Sequence, residues 1–324
     1  MKKRALICGV GGQDGGFLAQ LLLRKGYEVL GTSRDIQISR FSNLEALGIR
    51  GDVQLHSMAV NDFRSVLHVI HKTQPDEIYN LTGQSSVSLS FEQPVETLES
   101  IATGTINLLE AIRFLERPIH FYNAGSSECF GDTHGVPADE NTPFRPRSPY
   151  AVSKAAAFWG VANYREAYGM FCCSGILFNN ESIFRPERFV TRKITSAAAR
   201  IAQGSKERLV LGNLEVYRDW GWAPEYVEAM WLMLQQEVPD DFVIATGHTY
   251  SLLEFVDEAF LACGLNWRDH VESSAQFCRP TDIKVGAANP ARAREKLGWV
   301  ATSGMKDVVR MMVQASGVEI KNPQ

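Results

Sequence analysis

Arg4 to Cys8 is a short apolar run, and Gly9, Gly12 and Gly15 follow it at three-residue intervals. An amphipathic stretch from about Gly16 to Lys25 comes next. Strand, glycine-rich turn and helix in that order define the first half of a βαβ unit. The glycines let the backbone approach a pyrophosphate closely, at the positive end of the helix dipole. A plain tight turn is the alternative, but the strand before it and the helix behind it favour a dinucleotide. Gly9, Gly12, Gln13, Asp14 and Gly15 are therefore expected in a cofactor site.

A second strand, Glu28 to Gly31, ends in Thr32-Ser33-Arg34-Asp35. An acid at such a strand end holds a ribose 2′-hydroxyl, and an arginine holds a 2′-phosphate. Arg34 comes first and argues for NADP; Asp35 keeps NAD in play, and Arg40 adds a further charge. Strand and helix then alternate: Val53–Met58, Phe63–Lys72, Asp76–Leu81, a long helix Val95–Leu115 and the strand Pro118–Tyr122. The expected fold is α/β, a doubly wound parallel sheet of Rossmann-like type. Leu81 and Gln84, in the small polar strand end Leu81-Thr82-Gly83-Gln84-Ser85-Ser86, suit backbone passing near a nicotinamide-ribose.

Asn123 to Lys154 carries the chemistry. Ser126 and Glu128 follow the Pro118–Tyr122 strand, where open α/β sheets place reacting groups. Tyr150 and Lys154 lie four apart at the start of a helix, Ala151–Tyr168, and so share a face. A tyrosine and a lysine at helical spacing are usually packing and solvated charge. Behind a dinucleotide turn, however, an ammonium beside a phenol is expected to favour the phenolate and make it an acid–base group.

The strand Met170–Phe178 leads to Asn179-Asn180-Glu181-Ser182, and from there the alternation loosens. The expected division is a dinucleotide domain over 1–178 and a smaller mixed α/β lobe over 179–324, with some segments crossing back to the main sheet. Helices are expected at Val190–Gln203, at Ser251–Cys263 with Ser251 as its cap, and near Pro290–Leu297 and Met305–Ala315. Short strands are expected at Leu209–Gly212, Tyr217–Asp219 and Asp241–Ala245. Arg185, Arg192, Lys193, Arg218 and Arg279 offer this lobe a basic lining fit for a diphosphate.

Composition narrows the class. The net charge of −4 and the lack of a basic cluster argue against nucleic acid, and no apolar run approaches a membrane span. Six cysteines lack metal spacing, which points to reduced core residues, a cytoplasmic setting and no metal.

The glycine turn, Ser-x-Glu and Tyr-x-x-x-Lys together resemble the extended short-chain dehydrogenase/reductase superfamily. Longer strings resemble the GDP-mannose 4,6-dehydratase family within it: Gly11-Gly12-Gln13-Asp14-Gly15, Ser90-Phe91-Glu92-Gln93-Pro94, Ser148-Pro149-Tyr150-Ala151-Val152-Ser153-Lys154 and Arg218-Asp219-Trp220-Gly221 among them. The resemblance implies Ser126, Glu128, Tyr150 and Lys154 as the catalytic set. It also implies Ser85, Asn179, Glu181, Arg185, Lys193, Arg218, Arg279 and Asp282 in the nucleotide-sugar pocket. The implied activity is dehydration of a GDP-sugar, GDP-mannose first. GDP-heptose, or 4-reductase or epimerase chemistry, are the alternatives, and Glu128 discriminates dehydration from simple reduction. A homodimer through helices Val95–Leu115 and Ala151–Tyr168, or a homotetramer, is implied as well. The chain departs from the family at Ala59, at Thr82-Gly83, at Asn180 where the family has His, and at Ile183-Phe184-Arg185-Pro186 where it has Pro-x-Arg-Gly.

Overall fold

The computed structural model describes residues 2–274 and 281–320. Its first half repeats one move, a buried strand followed by an amphipathic helix. β1 (Arg4–Cys8), α1 (Gln13–Arg24), β2 (Glu28–Ser33), α2 (Ser42–Ala46), β3 (Gln54–Ser57), α3 (Phe63–Thr73), β4 (Glu77–Asn80) and α4 (Val87–Glu92) follow in order. α5 (Pro94–Leu98) continues through a π-helical turn, Glu99–Thr103, into α6 (Gly104–Phe114). The expected single helix there thus contains one widened turn. β5 (His120–Ala124), α7 (Pro149–Tyr168) and β6 (Cys172–Leu177) complete the half.

The second half opens with β7 (Asn179–Glu181) and α8 (Val190–Ala202), then β8 (Leu209–Leu211), β9 (Tyr217–Arg218) and β10 (Trp220–Trp222). α9 (Ala223–Leu234), β11 (Phe242–Ile244), β12 (Tyr250–Ser251), α10 (Leu252–Ala262), β13 (Val271–Ser273) and α11 (Met305–Gln314) follow. Ser251 caps α10 in a reciprocal box with Glu254, as the sequence leads one to expect.

The main sheet is seven-stranded, in the order β11-β6-β5-β4-β1-β2-β3, and every pairing in it is parallel. Strand order reverses between β1 and β4, and ligands bind outside the carboxyl ends of strands at such a switch point. One face packs α1 and α9 around Phe17, Leu18, Tyr226 and Met230; the other packs α3 and α6 around Val66, Ile70, Leu108 and Ile112. Parallel strands covered on both faces are apolar throughout, and β6 is buried along its whole length.

A separate core forms from α8, α10 and α11, with Ile194, Phe255, Phe260 and Met312 at its centre. Two-stranded ribbons, β7 with β10, β9 with β12 and β8 with β13, accompany it. Between β10 and β11 the chain returns to the main sheet through α9, a helix outside the elements expected from the sequence.

Candidate active site

The glycine turn is shaped by contacts that a side chain would destroy. Gly9 has φ +87°, and a Cβ there would lie 2.9 Å from the Leu81 carbonyl oxygen. A Cβ on Gly15 would lie 2.5 Å from the Gly9 carbonyl oxygen and 2.7 Å from the Val10 Cα. β1 and β4 therefore meet at the switch point with no side chain between them. Gly12 is the N-cap of α1 and offers no side-chain acceptor to the helix's first amides, which leaves them available to an anion. A dinucleotide pyrophosphate fits this cradle. Gln13 and Asp14 turn across to β7, where the Asn180 amide donates to Asp14 Oδ1 at 2.8 Å.

Arg34 lies at the end of β2 and is largely exposed; its guanidinium pairs with Glu96 of α5 at 2.9 Å. Gln84 is engaged locally, its amide donating to the Ser86 carbonyl at 2.8 Å and to Thr97 Oγ1 at 3.3 Å. It shapes the start of α4, while Leu81, Gln84 and Ser85 all line the cleft above the sheet.

That cleft encloses about 420 Å³ and brings Ser126, Glu128, Tyr150 and Lys154 together with Asp14. Each reaches it for a local reason. Ser126 follows β5 and caps a 3₁₀ turn, Ser127–Phe130, by accepting from the Glu128 N–H at 3.3 Å. This turn carries Glu128 to the wall, half-buried. Ser148 caps α7 by accepting from the Ala151 N–H at 3.1 Å, with Pro149 in the first turn. That fixes Tyr150 at the helix start and Lys154 one turn on. Lys154 is 8% exposed, and its ammonium donates to the Ala124 carbonyl at 2.6 Å.

The electrostatics correct the expectation for the tyrosine. Burial pushes the Tyr150 phenol up from its ordinary value, against the opposing hydrogen bond of Ser126 and the charge of Arg185. Lys154 Nζ sits 5.9 Å from the Tyr150 ring centroid and does not pull the phenol down. Burial lowers Lys154 itself to about 8, with Cys129 and Asp14 opposing. Removal from water outweighs the pairwise charge at both groups.

The opposite wall comes from the second half. Asn179, Glu181, Arg185, Lys193, Arg218 and Asp282 all line the cleft. Glu181 is 3% exposed and accepts from Arg185 Nε at 2.7 Å and Thr191 Oγ1 at 2.8 Å. Burial raises its carboxyl, although both partners pull the other way. Lys193 donates to the Val210 carbonyl at 2.7 Å, and Arg218 reaches Asp282 at 3.5 Å. Arg192 is not among the cleft-lining residues, which corrects its place in the expected basic lining; Arg279 lies outside the described residues.

Asn180, Arg188 and Thr191 line the cleft as well, and the sequence reading gave none of them a role. Thr191 lies two residues before Lys193, so helix spacing alone gave no reason to turn it inward. Among the described residues no group of His, Cys, Asp or Glu is placed to hold a metal ion, and no helix is long and apolar enough to cross a membrane.

Residues 6–312 match the family described as GDP-mannose 4,6 dehydratase. GDP-mannose 4,6 dehydratase 1 of Arabidopsis thaliana is 48% identical over 324 residues, covering 96% of this chain and 89% of its own. Among solved structures, dTDP-glucose 4,6-dehydratase of Bacillus anthracis, in complex with NAD, superposes with a TM-score of 0.85 at 17% identity, covering 97% of this chain and 96% of that one. RMD from Pseudomonas aeruginosa, complexed with NADPH, gives 0.78 at 21% identity, covering 98% of each. Fold, cleft and sequence agree: the chain belongs to the GDP-mannose 4,6-dehydratase family.

Proposed function

We propose that the protein converts GDP-mannose to the 4-keto-6-deoxy sugar nucleotide, with NADP as its dinucleotide. The observation that carries this reading is Glu128, a carboxylate lining the same cleft as Ser126, Tyr150 and Lys154. A ketone reductase has no use for a second acid–base group there; a dehydratase does.

The bound nicotinamide would supply the hydride-accepting and hydride-returning chemistry, so the sugar loses water with no net consumption of reductant. Gly9, Gly12 and Gly15 would hold its pyrophosphate, and Arg34 at the end of β2 supports the 2′-phosphorylated form. Tyr150 takes the proton of the C4 hydroxyl as a phenolate, which the positive charge of a bound oxidised nicotinamide would favour against the burial that otherwise raises the phenol, while Ser126 hydrogen-bonds the C4 oxygen. Lys154 orients the ribose from the floor of the cleft. With C4 a ketone, the neighbouring C5–H becomes acidic and the Glu128 carboxylate removes it. The same carboxyl, having taken that proton, then gives it to the departing C6 hydroxyl, which leaves as water. Arg185, Lys193 and Arg218 would meet the diphosphate.

Cys8, Cys129, Cys172 and Cys173 are buried thiols outside any disulfide, which supports a reducing, cytoplasmic setting. Exposed Val95, Val152, Trp159 and Tyr168 on α5 and α7 support a homodimer through those helices.

Incubating the purified protein with GDP-mannose and with a GDP-heptose, followed by mass spectrometry, tests the reading. Loss of one water from GDP-mannose at constant nicotinamide absorbance is expected. Consumption of added NADPH without loss of water would replace dehydration by 4-reduction.

A further inference from the structure

The segment 180–184 is fastened to the first turns of α1 by a set of buried contacts. Asn180 Nδ2 donates to Asp14 Oδ1 at 2.8 Å. Gln13 Nε2 donates to the same oxygen at 3.0 Å and to the Asn180 carbonyl at 3.0 Å. Ser182 Oγ donates to Gln13 Oε1 at 2.8 Å. Beside them the Phe184 ring stacks on Phe17, centroids 5.0 Å apart and planes inclined by 27°. Gln13, Asn180 and Ser182 are 9%, 8% and 0% exposed.

The position of this set matters more than its strength. Packing α1 against its neighbours needs only apolar contact, and a polar network buried in its place is costly unless fully satisfied. Here it joins two elements whose far sides face ligands. On one side is the uncapped start of α1; on the other is the wall carrying Glu181 and Arg185.

We propose that Asn180 and Phe184 are positioning residues that clasp the dinucleotide cradle to the nucleotide-sugar wall, so that filling either site organises the other. An anion seated on Arg185 holds the segment 180–185. Through the Asn180–Asp14 bond and the Phe184–Phe17 stack it then holds the first amides of α1. The coupling is reciprocal by thermodynamic necessity. The proposal rests on the reading of the cleft as a joint dinucleotide and GDP-sugar site.

The test is a titration of NADPH by its fluorescence, with and without saturating GDP. It uses the wild-type chain, Asn180→Leu, Phe184→Ala and Asn180→His, each checked for folding by circular dichroism. GDP is expected to tighten NADPH binding to the wild type by about 5-fold or more, the lower end of ordinary coupling. In Asn180→Leu and Phe184→Ala the ratio should fall to about 1 while NADPH still binds. Asn180→His should restore it, since an imidazole N–H can donate to Asp14. A wild-type ratio of about 1, or an undiminished ratio in both loss variants, overturns the clasp. Should Asn180→Leu not fold, Phe184→Ala alone decides.

The outcome separates from that of the functional reading. A chain that couples GDP and NADPH but leaves GDP-mannose unchanged keeps the clasp and loses the dehydratase. A chain that dehydrates GDP-mannose without coupling does the reverse.

Discussion

Lys154 holds the carbonyl of Ala124, its ammonium 2.6 Å from the oxygen, and so ties the first turns of α7 to the end of β5. The bond sets the floor of the cleft. It spends one of the ammonium's three donors on the backbone at a point 8% exposed to solvent, and the remaining charge is dispersed poorly. That is why burial governs its proton affinity.

A pH dependence of stability follows. Lys154 has a folded-state value near 8 against 10.5 for the free side chain. Between those values the unfolded chain binds more protons than the folded one, so this group makes stability rise with pH. Below about 8 the penalty for burying the charge is constant, and by 10.5 it has gone. The full swing is about 3 kcal/mol. Urea unfolding of wild type and Lys154→Met at pH 7.5 to 10 should show the difference between them growing in favour of the wild type. A difference flat across that range would contradict the assigned burial.

Glu128→Gln keeps the shape of the cleft wall and removes the acid–base group. Dehydration should fall by roughly 10²- to 10⁴-fold, the usual weight of such a group. NADPH affinity should stay within about twofold, because the cradle lies on α1 and not on the 3₁₀ turn. Turnover and fluorescence titration on one preparation check both halves. A variant with full dehydratase activity removes Glu128 from the mechanism.

Much of this site was legible in the sequence for a local reason. Gly9, Gly12 and Gly15 flank one turn, and Tyr150 and Lys154 belong to one helix, so spacing alone places them. Ser126 and Glu128 need only the end of one strand. The other wall was less legible because its partners are distant in the chain. β7 is Asn179–Glu181, three polar residues with no strand pattern, and it becomes a strand by pairing with β10. α9 was missed because it is apolar nearly all round, with Tyr226, Val227, Met230 and Met233 buried, and so has no amphipathic period to find. Spacing reports which charges are close but not how far water is excluded, so it gives the opposite direction for the Tyr150 phenol, which burial raises.

Gly15→Ala tests the cradle. The added methyl would meet the Gly9 carbonyl oxygen at 2.5 Å and the Val10 backbone, neither of which can move without opening the β1–α1 turn. A cost of about 1–3 kcal/mol is expected from overpacking, with a larger proportional loss of NADPH affinity than of GDP affinity. Thermal melts and separate titrations of the two nucleotides measure it.

Trp159 is 61% exposed on α7, beside Phe144 and Phe158. Trp159→Glu should shift a dimer toward monomer in sedimentation velocity while leaving the monomer folded, since the ring buries little within one chain. An unchanged sedimentation coefficient would move the interface off this helix.

Arg185→Met tests the wall opposite Lys154. Arg185 donates to Glu181 at 2.7 Å, with side-chain exposures of 13% and 4%, so the variant leaves a carboxylate buried beside Thr191 alone. Breaking a buried pair by removing one partner costs about 3–5 kcal/mol. Glu181 already titrates above its ordinary range because of burial, and losing the guanidinium raises it further. Its folded value then exceeds its unfolded one, so the penalty is complete above the folded value and shrinks as pH falls toward the unfolded one. Chemical denaturation should therefore show a large loss at pH 7.5 and a smaller one at pH 5. Adding Glu181→Gln to the variant should recover part of the loss at pH 7.5 and remove its pH dependence. A loss independent of pH would mean that Arg185 stabilises the wall by packing on Phe189, whose ring centroid lies 4.7 Å from the guanidinium carbon, and not by holding the charge.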